Sequence, residues 1–534
     1  MDKRIVEISH DFISDLPDSL LLQILSLLEM HNVISTCLLS RKWRYLWTSI
    51  PCLSFEERDS DANFPNFIDK SLSLHVGEKI QKFSLIFDYR KANEVQVNAW
   101  IDFAVTRLVE ELDFFDFGTA LEDENSVFYK MNSSLYQCQS LEVLSLRCCN
   151  LNLPDSICLS SLNRLALEVV ELSHDAIKDL TSSCPLLEVL FLIRCNSASD
   201  LNIFIENPHV ESLSITEAVG YDRESQMTIY APNILGLEFH WSLTRSSYCI
   251  KNVSSVDRVF FGCESFPTTL SRFDSYYRLA KLLKDLSPVS GLTLSSNFIQ
   301  ALSLWGLMVI TPVTLKVAYL ELRTGFGKYE LPGIAHLLRS CVDLEKLVIH
   351  IDRIEGTKLN DFNRERGLSY LSHYEFDERE YWKTSDFDFS SCLQKLKVIA
   401  ICNFYYDPYT LPEDGGDNEE LFKGFENEIE FARFLLKNSK MLQKLVIRRT
   451  KWSTSLKNSI PDSSFAQVQV HRFDKDLYST DLVTEPSMNT PISVYPHLTI
   501  KLSGYYRIHA LQYVLRQKLL AFPRASPNAE ITRS

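Results

Sequence analysis

The chain lacks the short motifs that tie a sequence to a reaction. It has no glycine-rich phosphate loop, no H-E-x-x-H and no G-x-S-x-G, and Gly325-Phe326-Gly327-Lys328 is too short to cradle a phosphate and reads as a turn. Its 12 histidines are scattered without ligand spacing. Its 13 cysteines are odd in number and contain no C-x-x-C pair, which argues against a disulfide framework or a zinc ribbon. Asp414, Asp417, Glu419 and Glu420 are not spaced as an EF-hand and read as a solvated loop. No catalytic residue, metal or cofactor is expected.

Positive charge is also short. Lys and Arg number 55 against 69 Asp and Glu, giving a net charge of -14 and a pI near 5.4, which argues against nucleic acid and anionic membranes as partners. Long apolar runs are missing. The start, MDKRIVEISHDF, has no signal core, and SLLLQILSLL is about ten residues long where a membrane span needs about 20. A cytosolic or nuclear protein with reduced thiols is expected, and the sequons at Asn132 and Asn252 read as chance matches. With 534 residues and 45% hydrophobic content, the chain can bury a large core divided among more than one domain.

What is present begins with SRKWRYLW at residues 40–47, a basic and aromatic stretch in an acidic protein. Upstream, Pro17 and Asp18 followed by Leu20, Leu21, Ile24, Leu25 and Leu28 predict a first helix over about 18–28. Asn32 is placed to cap a second helix bearing Val33, Ile34, Cys37 and Leu38, and Ser40 a third. On that third helix Trp43, Leu46 and Trp47 share one face while Arg41, Lys42 and Arg44 lie on the flanks and back. Rings and charges facing apart do not make a nucleic-acid platform, and a helix-turn-helix DNA reader is the competing reading of three short helices.

The run from Leu16-Pro17 through Ile24-Leu25, Val33, Cys37-Leu38 and Ser40-Arg41-Lys42-Trp43 to Leu46-Trp47 closely resembles an F-box. The resemblance implies a three-helix domain over 8–55 that binds a Skp-type adaptor, and through it cullin and RING subunits. It also implies the adaptor-binding set Leu16, Pro17, Leu20, Ile24, Leu25, Val33, Cys37, Leu38, Ser40 and Trp43.

Beyond it one phrase recurs, apolar-x-x-apolar-x-apolar. It stands as LEVLSL at 141, LNRLAL at 162, LEVLFL at 187, VESLSI at 210, ILGLEF at 234 and VDRVFF at 256, at intervals of 21 to 25 residues. It continues more loosely as VSGLTL at 289, VAYLEL at 317, LEKLVI at 344, LQKLKV at 393 and LQKLVI at 442, and IQKFSL at 80 fits it too. This is the period of a leucine-rich repeat, in which each unit buries its leucines only by stacking on its neighbours. The expected fold is an α/β repeat solenoid, a leucine-rich-repeat horseshoe over 75–425, with insertions at about 352–390 and 405–425. Its inner wall, from ten gaps of about 4.8 Å, is roughly 50 Å long. Residues 97–112 read as helix, as does SHDAIKDLTSSCP at 173–185, with Ser173 as a possible cap and Ala176, Ile177 and Leu180 inward.

In each such strand the leucines point inward and the residues between them face the concave wall. The candidate target-binding set is Arg147, Phe191, His240, Phe260, Tyr319, Arg323, Lys346 and His350, with Arg164, Ile193 and Arg448 beside them. The segment VNAWIDFAV, and two pieces at 434–449 and 518–531, resemble plant F-box proteins with leucine-rich repeats and a C-terminal FBD region. The FBD-like region is placed at 426–534, split by an insertion at about 450–517. The resemblance implies a non-catalytic subunit that recruits a target protein to a Skp-cullin-F-box ubiquitin ligase. A small-molecule receptor and a non-degradative scaffold stand as alternatives.

Overall fold

The computed structural model describes residues 13–533 except 14, 59–62, 118–127, 174, 198–199, 218–222, 242–244, 254, 264–280, 286–288, 308–312, 352–375, 385–388, 390–391, 403–425, 449–525 and 527–529. The expectations for 405–425 and 450–517, and for most of 352–390, therefore fall outside the described residues.

Three short helices open the chain: α1 Asp18–Leu25, α2 Met30–Ser35 and α3 Trp43–Leu46. They depart from the expected limits in ways the hydrogen bonds explain. The first ends three residues early, where the Ser26 hydroxyl donates to Leu22 O at 2.8 Å. The second starts before Asn32, with Glu29 at its N-cap, and the third starts after Lys42, so neither Asn32 nor Ser40 caps a helix. Leu21, Leu25, Met30, Val33, Trp43, Trp47 and Ile50 close the core of this bundle. That core is continuous with the core of all that follows.

The strands come next. They are β1 Cys52–Glu56, β2 Lys82–Phe87, β3 Glu111–Asp116, β4 Val143–Arg147, β5 Arg164–Glu168 and β6 Val189–Ile193. Then follow β7 Leu201–Phe204, β8 Ser212–Thr216, β9 Arg223–Tyr230, β10 Gly236–Trp241, β11 Arg245–Lys251 and β12 Arg258–Cys263. The last are β13 Gly291–Leu294, β14 Tyr319–Thr324, β15 Lys346–Ile351, β16 Val398–Cys402, β17 Lys444–Arg448 and β18 Glu530–Arg533. Fifteen of them form one sheet, parallel throughout, in the order β1-β2-β3-β4-β5-β6-β8-β10-β12-β13-β14-β15-β16-β17-β18. At about 4.8 Å per gap its inner wall runs roughly 67 Å, longer than the sequence phrases alone imply.

The extra length has a readable cause. Ile50-x-x-Leu53-x-Phe55 and Val109-x-x-Leu112-x-Phe114 fit the same phrase, and both are strands. The helix expected over 97–112 is instead α5, Glu94–Thr106, which follows α4, Phe64–Leu74, and is held at its start by a capping box of Asn93 and Gln96, and the strand follows it. One phrase is displaced. LQKLKVIAI fits the template twice, three residues apart, and the structure uses the second fit, pairing Leu347 with Ile399 and Val348 with Ala400. Lys395 and Lys397 consequently lie before the strand, and Ala400 and Cys402 take the wall positions.

The returns between strands sit behind the sheet. The helix α6, Ala176–Ser182, buries Ala176, Ile177 and Leu180 as its spacing requires, although Asp175 rather than Ser173 occupies its N-cap. Between β6 and β12 the returns are strands, and β11, β9 and β7 pair into a second, parallel sheet. Cys148, Val169 and Arg194 each leave a strand with φ near 50°, a left-handed conformation uncommon without glycine. Their N–H groups donate onward to Glu168 O, Ile193 O and Thr216 O at 2.9, 2.8 and 2.6 Å, which repays the strain by extending the sheet ladder. At the far end the helix Glu426–Asn438 packs Phe431 on Trp382, with ring centroids 4.5 Å apart, and β17 and β18 continue the sheet. The first FBD-like piece thus contributes the end of that helix and β17, and β18 begins at the last two residues of the second.

Candidate functional site

Two surfaces stand out. On the helical bundle the short helices bury one side only. Leu20 is 44% exposed, Ile24 42%, Leu38 86%, Leu27 86%, Leu39 67% and Tyr45 71%. So many large apolar side chains left in water on three short helices mark a docking surface. Pro17 is exposed beside them, and Leu16, Cys37 and Ser40 are half-buried at its edge. Lys42 joins the start of α1 to α3, donating to Leu16 O at 2.7 Å and pairing with Asp18 at 3.2 Å.

Three residues expected on this surface are not on it. Leu25 and Val33 have no exposure and Trp43 only 4%, because they face the packing side of helices too short to spare them. Leu27, Leu39 and Tyr45 were missed. Each lies in a turn or at a helix end, where spacing alone does not show which side is covered.

The second surface is the sheet's inner wall, whose register sets three rows of outward side chains. In β14 and β15, Tyr319 stands beside Lys346, Glu321 beside Val348 and Arg323 beside His350. Four of the expected residues meet here around one that was not expected. Tyr319 Oη donates to Glu321 Oε2 at 2.7 Å, His350 Nε2 lies 3.5 Å from Glu321 Oε1, and Arg323 Nε lies 3.7 Å from it. Lys346 Nζ sits 5.2 Å above the Tyr319 ring. Burial first, and the Glu321 charge second, push the Tyr319 phenol far above its ordinary pKa, so it remains a donor. Glu321 occupies a middle wall position in VAYLEL, so the template does mark it, but only assembly shows the cluster.

Further along, Arg147 donates to both carboxylate oxygens of Asp113 at 3.0 Å and lies 4.5 Å over Phe115. His240 Nε2 is 2.9 Å from Glu238 Oε1, and its ring stands 5.1 Å from that of Phe260. Phe191 and Phe260 are not the open anchors expected of them. Arg164 lies 4.7 Å over Phe191 and Arg323 4.9 Å over Phe260, and both rings are buried beneath those cations. What the wall presents there is guanidinium, not ring.

In the loop Gly325-Phe326-Gly327 the backbone donors are already engaged. The N–H groups of Gly325 and Gly327 already donate to the Glu330 carboxylate. Among the described residues no cluster of His, Cys, Asp and Glu suits a metal, and no helix is long and apolar enough to cross a membrane. Cys184 and Cys341, each three residues before the leucine that opens a repeat phrase, are fully buried, and burial pushes both thiols up to about 12, as structural rather than reactive cysteines require.

Comparison with known proteins assigns the regions that carry these surfaces to known domains. The chain matches the F-box domain model over residues 13–55, the At1g61320/AtMIF1 LRR domain model over 72–400 and the FBD model over 420–447. The second FBD-like piece, at 518–531, lies outside the FBD match. F-box/LRR-repeat protein At5g02910 of Arabidopsis thaliana is 31% identical over 398 residues, covering 73% of this chain and 82% of that protein. Putative F-box/LRR-repeat protein At3g18150 of the same plant is 28% identical over 468 residues, covering 86% and 91%. The F-box implies a Skp-type adaptor as partner. With an adaptor-type helical face, a leucine-rich-repeat wall and an FBD segment in one chain, the protein belongs to the plant F-box/LRR-repeat family.

Proposed function

We propose that the chain is the substrate-recruiting subunit of a Skp-cullin-F-box ubiquitin ligase. The exposed face of α1 to α3 docks the adaptor, and the concave wall holds the target protein. The chain performs no chemistry of its own. Holding a target beside a ubiquitin-loaded enzyme raises the effective concentration of their reactive groups.

The observation that carries this reading is the packed, hydrogen-bonded junction between the two surfaces. Strand β1 leaves the helical bundle directly and pairs with β2. Val76 N donates to Thr48 O at 2.8 Å, His75 Nε2 meets Ile50 O at 2.9 Å, and Arg58 pairs with Glu29 at 2.7 Å. His31 stacks on Phe67 with ring centroids 4.1 Å apart. A target on the wall is therefore held at a fixed position relative to the adaptor, as proximity catalysis requires.

The test is to purify tagged chain from plant cells with and without proteasome inhibition. Adaptor, cullin and RING subunits should co-purify in both, and target proteins should accumulate only with inhibition. Adaptor without cullin would make the chain a scaffold instead.

A further inference from the structure

The concave wall is not uniform in charge. Through β1 to β6 its outward positions carry Glu56, Glu111, Asp113 and Glu168 beside Lys82, Arg147 and Arg164. From β10 to β17 the balance reverses. Arg258, Lys346 and Lys444 stand in the first row and Arg323 in the third, against Glu238 and Glu321 among the described wall residues of these strands, with Glu530 of β18 next to Lys444 in the register.

Depth sharpens the contrast. The Glu321 side chain is 14% exposed, against 29% for Arg323 and 30% for His350 that cover it. Around Glu321 a guanidinium thus stands nearer solvent than the carboxylate, in a chain whose net charge is -14. Alongside, the middle row turns apolar at three successive strands, with Val348, Ala400 and Val446 in register.

We propose that this half of the wall receives an extended acidic segment of the target. The proposal rests on the reading that the wall is the target site, and it names the chemistry of what binds there. Carboxylates on one side of the segment pair with Arg258, Lys346 and Lys444, and apolar side chains lie on Val348, Ala400 and Val446. Arg258 and Lys346 are three strand gaps apart, roughly 14 Å, which an extended chain rising about 3.4 Å per residue covers in about four residues. Lys444 is two gaps further, roughly 10 Å, or two to four residues once the reach of its side chain is included. Residues four apart on an extended chain share a side, so the pattern is acidic at i, i+4 and i+6 or i+8, with apolar residues between.

The test uses the full chain and fluorescein-labelled peptides with Glu at that spacing among leucine and serine, and the same peptides with Gln or Lys in place of Glu. The Glu peptide should bind at least ten-fold more tightly than the Gln peptide, with an advantage that shrinks as salt rises, because exposed charges are screened over about 10 Å at 0.1 M. The double variant Lys346→Glu, Lys444→Glu should lose that advantage while keeping the unfolding midpoint and the adaptor. Equal binding of the Glu and Gln peptides, no measurable binding of the Glu peptide, or undiminished binding by the double variant would each overturn the proposal. In cells, a double variant that still recovers the wild-type targets sinks acidic docking and leaves recruitment standing. A wild-type chain that recovers no target under proteasome inhibition removes recruitment itself.

Discussion

The carboxylate of Glu330 accepts the backbone N–H of Gly327 at 2.8 Å and so closes the loop that ends β14. It also holds Gly325 N at 3.2 Å, and the loop in turn docks the FBD helix, where Asn427 Nδ2 donates to Phe326 O at 3.1 Å. Glu330 is 1% exposed, and burial pushes its pKa from 4.5 up to about 7 against the opposing pull of its hydrogen bonds.

That shift has a sign. An acid whose folded pKa lies above its unfolded value keeps its proton on folding, so its stabilising effect is full below about pH 4.5 and is lost as pH rises through about 7. The loss is on the order of 3 kcal/mol. Glu330→Gln should flatten the fall in unfolding midpoint between about pH 4.5 and pH 7 relative to wild type. Parallel curves for the two proteins would show that this carboxylate is not the cause.

On the helical bundle, Leu20→Glu with Ile24→Glu should abolish adaptor co-purification with only a small fall in the unfolding midpoint, since both side chains are partly exposed, at 44% and 42%. Trp43→Ala should instead cost about 3–5 kcal/mol, because it empties a packed core. Adaptor binding retained by a folded Leu20, Ile24 double variant would move the docking surface elsewhere.

Gly333 lies where two helices touch. A Cβ added there would stand 2.1 Å from Ile299 O and 2.7 Å from Ser303 Oγ, the atom to which Gly333 N donates. The helices Ser296–Leu307 and Leu331–Ser340 must separate to admit it. Gly333→Ala should therefore destabilise by about 2–3 kcal/mol, although alanine is the better helix former. A neutral or stabilising result in chemical denaturation would mean that the contact is looser than this.

Asn207 closes the return after α6. Its Nδ2 donates to Thr181 O at 2.9 Å and Cys184 O at 2.8 Å, and its Oδ1 accepts from His209 N at 2.9 Å. Asn207→Ala removes all three bonds, but Thr181 O and Cys184 O keep Cys184 N and Leu187 N as donors, so the unmet group is His209 N and the cost should be about 1–2 kcal/mol. Asn207→Asp should be worse, since a carboxylate cannot donate to either carbonyl. If the aspartate variant is the more stable of the two, this account of the turn fails.

The sequence by itself determined the repeat architecture. An apolar-x-x-apolar-x-apolar phrase leaves its unit unable to bury its own leucines, so stacking into a parallel sheet follows from the pattern wherever the phrase is unambiguous, as at Leu144, Leu190 and Leu347. Tertiary structure decided what the pattern leaves degenerate. LQKLKVIAI admits two registers, and the neighbouring strand selects the one that places Val348 beside Ala400, putting small apolar groups rather than lysines on the wall. In the F-box, Leu25 and Ile24 are adjacent and equally apolar, yet one is sealed and the other is 42% exposed. Which side of so short a helix meets the core is fixed by what packs against it, and that is a property of the assembled chain, not of the local sequence. The gathering of Tyr319, Arg323 and His350 onto Glu321 belongs to the same class, because partners on adjacent strands become neighbours only once the register is set.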